Sequence, residues 1–173
     1  LRTANYNVEI FDGIIDRLNW VELFNRCVTF RPAILGVSLM SHHGDLQLQE
    51  FLSDIRRCLP NIHICLGGVY PSLNWDSLLD LIPEVDSVVC GDGEITTLML
   101  VEALKNNLPL NCIPGLAVRS FEKPVLSPPS PRMDLNNLQF PSRDQLNIIL
   151  TRNGPASMIS SRGCYGRCTF CAI

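Results

Sequence analysis

Three cysteines near the carboxyl end of the sequence have the types and spacing to bind a metal centre. Cys164, Cys168 and Cys171 form a C-x3-C-x2-C pattern, which lets one tight loop wrap one inorganic cluster. Gly163 and Gly166 allow this loop to turn tightly and to approach the cluster closely. Iron–sulfur clusters are held by thiolates, commonly four. Three local ligands leave one iron open, as a catalytic metal site requires, so the spacing indicates an iron–sulfur cluster with a free coordination position.

Zinc is the alternative that the same cysteines leave open. A structural zinc site needs a closed set of four ligands. Outside the loop, the candidate ligands are scattered cysteines and His42, His43 and His63, none of which has paired spacing. The remaining cysteines fall in apolar elements, where we expect buried small hydrophobic residues. They are Cys27, Cys58, Cys65, Cys90 and Cys112.

The composition excludes several classes of function. The 173 residues are 46% hydrophobic and 18% charged, with a formal net charge of −3, which is ordinary for a globular protein. Basic clusters are scarce, so nucleic acid is not expected as a partner. No apolar run approaches membrane-spanning length, and the amino end lacks a signal-peptide pattern. Eight cysteines without such a signal favour a reducing compartment, so we expect a cytoplasmic protein.

Residues 7–119 alternate between short β-branched runs and amphipathic stretches, which predicts an α/β fold. Strands joined by long helices form right-handed crossovers, so we expect a Rossmann-like, doubly wound parallel sheet covered on both faces. The expected strands are residues 7–11, 34–39, 62–66, 86–90 and 115–119. The expected helices are residues 20–27, 46–59, 75–82 and 94–107. Asn19 and Glu22 read as a capping box for the first helix, and Asn74 reads as a cap for the third.

The domain organisation follows from these elements. Residues 1–119 are expected to form one domain, and residues 120–156, which hold six of the twelve prolines, a linker. Residues 157–162 read as a short strand that delivers the cysteine loop of a second domain, which residues 157–173 begin. Because the sequence starts without Met and stops two residues after Cys171, we expect a fragment truncated at both ends.

Polar residues and glycines concentrate after three strand ends, in residues 38–44, 67–72 and 91–94. In open α/β sheets, ligands bind outside the carboxyl ends of the strands. The three loops therefore form a candidate binding rim on one edge of the sheet. The alternative is that the glycines simply end strands and let helices start, and the pattern leaves both interpretations open.

The segment from Ser161 to Cys171, with the pattern S-R-G-C-x3-C-x-F-C, resembles the signature of radical S-adenosylmethionine enzymes. The resemblance implies that Cys164, Cys168 and Cys171 hold a [4Fe–4S] cluster at the start of a truncated βα barrel. The open iron would chelate S-adenosylmethionine, which is then cleaved reductively to a 5′-deoxyadenosyl radical. Phe170 would lie against the adenine, with packing inside the barrel as the alternative for this side chain.

The preceding domain resembles the cobalamin-binding domain of one large subgroup of that family. Three segments carry the resemblance, residues 35–40 (L-G-V-S-L-M), 66–72 (L-G-G-V-Y-P-S) and 85–94 (V-D-S-V-V-C-G-D-G-E). Residues 113–117 and the proline-rich stretch up to Pro141 look like the connection found in that subgroup. The resemblance therefore covers essentially the whole chain.

This resemblance implies that residues at the strand ends contact cobalamin, through backbone and hydroxyl groups that cradle the corrin amides and the nucleotide tail. They are Ser38, Met40, Ser41, Gly67, Gly68, Tyr70, Gly91, Gly93 and Glu94. Asp92 departs from the subgroup's usual Glu, and Val69 with Tyr70 replaces Pro-His. His42 and His43 lie near the rim, where we expect solvent-facing residues. The chain has no D-x-H-x-x-G motif that would supply a histidine to cobalt.

The resemblance implies a fragment of a cobalamin-dependent radical S-adenosylmethionine enzyme, inactive by itself, whose parent protein transfers a methyl group to an unactivated centre. The substrate would be a small molecule or natural product, the electron donor a flavodoxin or ferredoxin, with no membrane partner. An oxidative cyclase of the tetrapyrrole-synthesis type is an alternative that uses the same two domains. A non-catalytic cobalamin-binding module, and a domain that has lost cobalamin and serves as a scaffold, are the others.

Overall fold

The computed structural model describes residues 1–13, 15–41, 45–131, 134–169 and 171. The chain divides into two compact units. One comprises Leu1–Phe11 and Leu18–Arg132, and the other comprises Asp12–Arg17 and Met133–Ile173. The predicted boundary at residue 119 falls inside the first unit, because the sheet continues beyond it.

A five-stranded sheet organises the first unit. Its strands lie side by side in chain order and are β1 (Ile34–Ser38), β2 (His63–Gly67), β3 (Ser87–Val89), β4 (Leu116–Val118) and β5 (Val125–Leu126). The first three are parallel, whereas β4 is antiparallel to β3 and β5 is antiparallel to β4. The predicted Rossmann-like α/β fold is confirmed, with a sheet that is mixed rather than parallel throughout.

The direction of β4 follows from the segment that leads into it. Residues 106–115, which include a 3₁₀ turn at Leu110–Cys112, carry the chain back to the edge where β3 ends. There the Cys90 amide donates to the Gly115 carbonyl oxygen at 2.8 Å. Because the chain returns to this edge before β4 begins, β4 must run against β3.

Helices cover both faces of the sheet. They are α1 (Trp20–Phe30), α2 (Asp45–Cys58), α3 (Val69–Leu73), α4 (Trp75–Leu81) and α5 (Gly93–Lys105), with α6 (Leu146–Thr151) in the second unit. On one face, the fully buried Leu52 of α2 and Leu79 of α4 share an apolar cluster with Ile64 of β2. On the other, Leu100 of α5 packs with Cys65. Each fully buried leucine contributes about 2 kcal/mol. Among the described residues, no helix is long and apolar enough to cross a membrane.

One of the two predicted helix caps is present. The Asn19 side chain accepts a hydrogen bond from the Glu22 amide, and the Glu22 carboxylate accepts one from the Asn19 amide, both at 2.9 Å. This capping box starts α1. Asn74 precedes α4 as predicted, but its side chain does not cap the helix. It instead donates to the Tyr70 carbonyl oxygen at 2.9 Å, because the preceding helix ends at the same residue.

Two predicted strands, residues 7–11 and 157–162, are not strands in the structure. An extended segment becomes a strand by pairing with a neighbour, and no described strand pairs with either segment. In the first segment, the Val8 carbonyl oxygen accepts from Arg2 Nη2 at 2.9 Å instead. Alternating side chains in the sequence were therefore not sufficient to make a strand.

The cysteines outside the C-x3-C-x2-C loop do not share one environment. Cys27 and Cys65 are buried and Cys90 is half-buried, but Cys58 and Cys112 are exposed. The prediction that all of them are core residues is wrong for the last two. Cys58 is the final residue of α2 and Cys112 lies in the 3₁₀ turn, so both stand at element ends.

Candidate cofactor-binding rim and cysteine loop

The loops that follow β1, β2 and β3 lie together at the carboxyl edge of the sheet. We call their described residues, 38–41, 67–73 and 90–94, the rim. The first two loops interlock through main-chain hydrogen bonds. The Leu39 amide donates to the Gly67 carbonyl oxygen at 2.9 Å, and the Tyr70 amide donates to the Leu39 carbonyl oxygen at 3.3 Å. The structure thus brings together loops that are about 30 residues apart in the sequence.

Gly68 makes this close approach possible. Its φ of 96° is positive, and residues that carry a side chain rarely adopt a positive φ. A Cβ at this position would lie 2.5 Å from the Leu39 carbonyl oxygen and 3.0 Å from Ser38 Oγ. Both the backbone conformation and the space therefore require glycine here.

Ser72 joins the second and third loops. Its hydroxyl donates to the Gly68 carbonyl oxygen at 2.7 Å, and its Oγ accepts from the Gly91 amide at 3.0 Å. The residue lies in the L-G-G-V-Y-P-S segment but was not among the predicted contacts. A serine one turn after a double glycine was the available signal, but the sequence does not show which loop it meets.

The rim exposes large apolar side chains beside its polar groups. Met40 is 75% exposed, Val69 45% and Leu73 54%. Each follows the end of β1 or β2, at the edge where the loops meet. Apolar side chains concentrated near polar groups commonly mark a binding surface. The combination suits a broad ligand with apolar faces and polar substituents.

The other predicted contact residues occupy two kinds of position. Ser38, Ser41, Gly91 and Glu94 are exposed, whereas Tyr70 is partly buried against the apolar cluster under α2 and α4. Tyr70 therefore supports the rim from beneath more than it lines it. The predicted solvent-facing His42 and His43 lie outside the described residues.

The rim also includes the amino end of α5. This helix begins at Gly93 and runs for 13 residues, so its first amides and dipole favour a negative or polar ligand group. A Cβ at Gly93 would touch Val89 Cγ1 at 3.4 Å and Thr97 Oγ1 at 3.5 Å, which is ordinary contact. The space around residue 93 therefore does not require a glycine.

The residues around the start of β4 and the end of β5 also reach this edge of the sheet. The sequence did not predict them there. Because β4 and β5 reverse direction, the start of β4 and the end of β5 lie beside the end of β3. The Gly115 amide donates to the Pro128 carbonyl oxygen at 2.7 Å. The fully buried Thr96 donates its hydroxyl to the Pro114 carbonyl oxygen at 2.9 Å, which ties α5 to this segment.

The cysteine loop belongs to the second unit. Cys164, Cys168 and Cys171 are exposed free thiols. The Gly166 amide donates to Cys164 Sγ at 3.3 Å, and the Cys171 amide donates to the Cys168 carbonyl oxygen at 3.1 Å. Phe170 lies outside the described residues.

Two of the three sulfur atoms lie around Gly166. A Cβ at Gly166 would lie 3.3 Å from Cys164 Sγ and 3.8 Å from Cys168 Sγ. Within the described ranges, no three His, Cys, Asp or Glu side chains are gathered as a metal site. The donor chemistry fits a thiolate-bound cluster, but the three cysteines are not arranged around a common centre.

A cavity of about 760 Å³ opens at the opposite edge of the sheet, where His63, Asp86 and Arg119 are among the lining residues. Its polar groups serve the fold. His63 Nε2 and Ser87 Oγ are 2.8 Å apart, and Asp86 Oδ2 accepts from Arg56 Nη2 at 2.6 Å. Burial lowers the pKa of His63, against the opposing effect of Asp86. This cavity is therefore a weaker candidate site than the rim.

No protein-family model matches the chain. The anaerobic magnesium-protoporphyrin IX monomethyl ester cyclase of Synechocystis sp. is 28% identical over 99% of this chain. The uncharacterized methyltransferase PH0819 of Pyrococcus horikoshii is 25% identical over 96% of it. The structure of the cobalamin-dependent S-adenosylmethionine radical enzyme OxsB, with aqua-cobalamin and S-adenosylmethionine bound, matches 95% of this chain with a TM-score of 0.84 and 25% identity. In sequence and fold, the chain is similar to cobalamin-dependent radical S-adenosylmethionine enzymes.

This similarity confirms the resemblance predicted from the sequence. The chain spans 35% of the Synechocystis protein, 37% of the Pyrococcus protein and 23% of the OxsB chain. It therefore corresponds to about a third of the curated relatives. In this chain, the matched part contains a Rossmann-like unit and the C-x3-C-x2-C loop that follows it.

Proposed function

We propose that this chain is the cobalamin- and cluster-binding part of a radical S-adenosylmethionine enzyme that transfers a methyl group to an unactivated centre. The observation that carries the proposal is the rim, whose three loops are hydrogen-bonded to one another at the ligand-binding edge of a Rossmann-like sheet. The C-x3-C-x2-C loop follows in the same chain. The similarity to a methyltransferase of Pyrococcus horikoshii supports this reaction class.

The rim has the chemistry that a corrin requires. A corrin is a broad ring with apolar faces and amide side chains around its edge. The exposed Met40, Val69 and Leu73 offer apolar surface, while hydroxyl and main-chain groups of the loops can bind the amides. Gly91, with a φ of 79°, is exposed, and apart from its chain neighbours no described atom lies within 4 Å of a Cβ built on it. A ligand could therefore approach the main chain on that side, while the Gly91 amide is hydrogen-bonded to Ser72.

The cysteine loop has the donor set for a [4Fe–4S] cluster. Cys164, Cys168 and Cys171 would hold three irons, and Gly166 leaves room beside two of the sulfurs. Phe170 is proposed to lie beside the adenine of S-adenosylmethionine. When bound, the cluster supplies the electron that cleaves S-adenosylmethionine, and cobalamin supplies a carrier for the methyl group.

A substrate class, an electron donor and a cellular compartment belong to the proposed function. The substrate is a small molecule or natural product, which the part of the protein outside this chain would select. The electron comes from a flavodoxin or ferredoxin, and the protein works in the cytoplasm without nucleic acid or membrane partners.

Oxidative cyclisation is the second candidate function. It is supported by the 28% identity with the anaerobic magnesium-protoporphyrin IX monomethyl ester cyclase of Synechocystis sp.. The two reactions differ in their products, since only methyl transfer moves carbon from S-adenosylmethionine to the substrate. Methyl-labelled S-adenosylmethionine therefore separates them.

Reductive cleavage of S-adenosylmethionine tests the proposed reaction class. The full-length protein is reconstituted anaerobically with iron, sulfide and cobalamin, then mixed with S-adenosylmethionine and dithionite. We expect the wild type to form 5′-deoxyadenosine, detected by mass spectrometry, and Cys168→Ala to form none. Cys112→Ala is the matched control, because this exposed thiol lies outside the loop. Equal product from Cys168→Ala and the wild type would contradict the assignment.

A further inference from the structure

Ser72 makes hydrogen bonds to two different loops of the rim. It lies in α3, the short helix that follows the double glycine at the end of β2. Donation to the Gly68 carbonyl oxygen at 2.7 Å holds the hydroxyl within its own loop. This leaves an Oγ lone pair for the Gly91 amide at 3.0 Å, across the gap to the loop that follows β3. One side chain thus spans the second and third loops.

The loop on the other side of this bridge is held before Gly91 by the hydrogen bond from the Cys90 amide to the Gly115 carbonyl oxygen at 2.8 Å, and Gly91 is the next residue. Gly91 is exposed, its φ is 79°, and no described atom lies within 4 Å of where its Cβ would be. A glycine without neighbouring side-chain contacts samples many backbone conformations. Two residues later, Gly93 starts α5. The Ser72 hydrogen bond therefore holds the turn from which α5 begins.

We infer that Ser72 is a positioning residue that holds the loop after β3 in its ligand-ready conformation. This inference rests on the proposed function, in which the rim binds a corrin. Without the bridge, binding would have to order the turn at Gly91 at the same time. Loops that are already ordered bind more tightly, because less conformational entropy is lost on association.

Corrin affinity of the full-length protein tests this role. Aquacobalamin is titrated into the corrin-free protein, and the dissociation constant is read from the visible absorbance. We expect Ser72→Ala to bind roughly 2- to 10-fold more weakly, the effect of one hydrogen bond. Ser72→Thr retains the hydroxyl and should restore affinity. Ser77→Ala is the matched control, since Ser77 is an exposed serine of α4 whose hydroxyl contact is to Asp76 at 3.5 Å.

Hydrogen exchange of the Gly91 amide gives a second measurement that does not depend on corrin. In the corrin-free protein we expect faster exchange at Gly91 in Ser72→Ala than in the wild type, with the core amides of β2 unchanged. A general loss of stability would instead speed exchange throughout the sheet. Unchanged exchange at Gly91, or faster exchange everywhere, would overturn the inference.

The outcomes separate the inference from the proposal on which it rests. If the wild type and Ser72→Ala bind aquacobalamin equally well, the positioning role is wrong and the proposed function stands. If Ser77→Ala weakens binding as much as Ser72→Ala, the positioning role is also wrong. If the wild type binds no aquacobalamin, the proposed function fails, and the role of Ser72 in it fails with it.

Discussion

The cysteines outside the cluster loop differ in reactivity because they differ in burial. Burial raises the pKa of the Cys27 and Cys65 thiols. It also raises the pKa of Cys90 to about 11, with the nearby Cys65 as a smaller cause. Cys58 and Cys112 are exposed at element ends. Apolar periodicity predicts which face of an element is buried, but it does not predict how far burial extends at the element's last residues.

Alkylation of the metal-free protein should follow this division. With iodoacetamide at pH 8, we expect rapid modification of Cys58 and Cys112 and slow modification of Cys27 and Cys65. The thiolate is the reacting form, and a raised pKa leaves little of it at this pH. Mass spectrometry of peptides at timed intervals measures each rate. Labelling of Cys65 as fast as that of Cys112 would contradict the packing of α5 on β2.

At the scale of elements, several local signals predict the structure correctly, whereas features that depend on a distant partner do not follow from the sequence. The Asn19–Glu22 capping box and the central strands were predictable, because three-residue spacing and buried apolar runs specify them locally. Residues 7–11 alternate as a strand would, yet no described strand pairs with them. The direction of β4 depends on where residues 106–115 carry the chain, which composition does not encode.

The interlock between the loops after β1 and β2 depends on Gly68. We expect Gly68→Ala to lower the free energy of unfolding by about 1–3 kcal/mol. Alanine disfavours a positive φ, and its Cβ would clash with the Leu39 carbonyl oxygen. Corrin affinity should fall with it, because the two loops must separate. Urea unfolding followed by circular dichroism measures the first effect.

Gly36→Ala is the control for this substitution. Gly36 lies in β1, has no positive φ, and its Cβ would meet no described atom within 4 Å. We therefore expect a change within about 1 kcal/mol, with alanine favoured by the lower entropy of the unfolded chain. If both variants unfold at the same urea concentration, the interlock between the two loops does not stabilise the fold.

At the scale of the whole molecule, the order of motifs was more informative than any one motif. The segments after three strand ends and the C-x3-C-x2-C loop together predict a resemblance to radical S-adenosylmethionine enzymes, which the comparisons confirm. The contacts inside the candidate site were less predictable. Ser72 and Gly91 are 19 residues apart, and their hydrogen bond exists because β2 and β3 lie side by side. Such contacts follow from the fold and have no local signature.

The metal content of the anaerobically reconstituted full-length protein tests most directly the claim that both cofactors bind one chain. We expect about four irons and one cobalt per chain, with iron falling and cobalt unchanged in Cys168→Ala. Iron and cobalt should respond separately because the cysteine loop and the rim belong to different units. Iron without cobalt would contradict the assignment of the rim, and zinc in place of iron would contradict the radical chemistry itself.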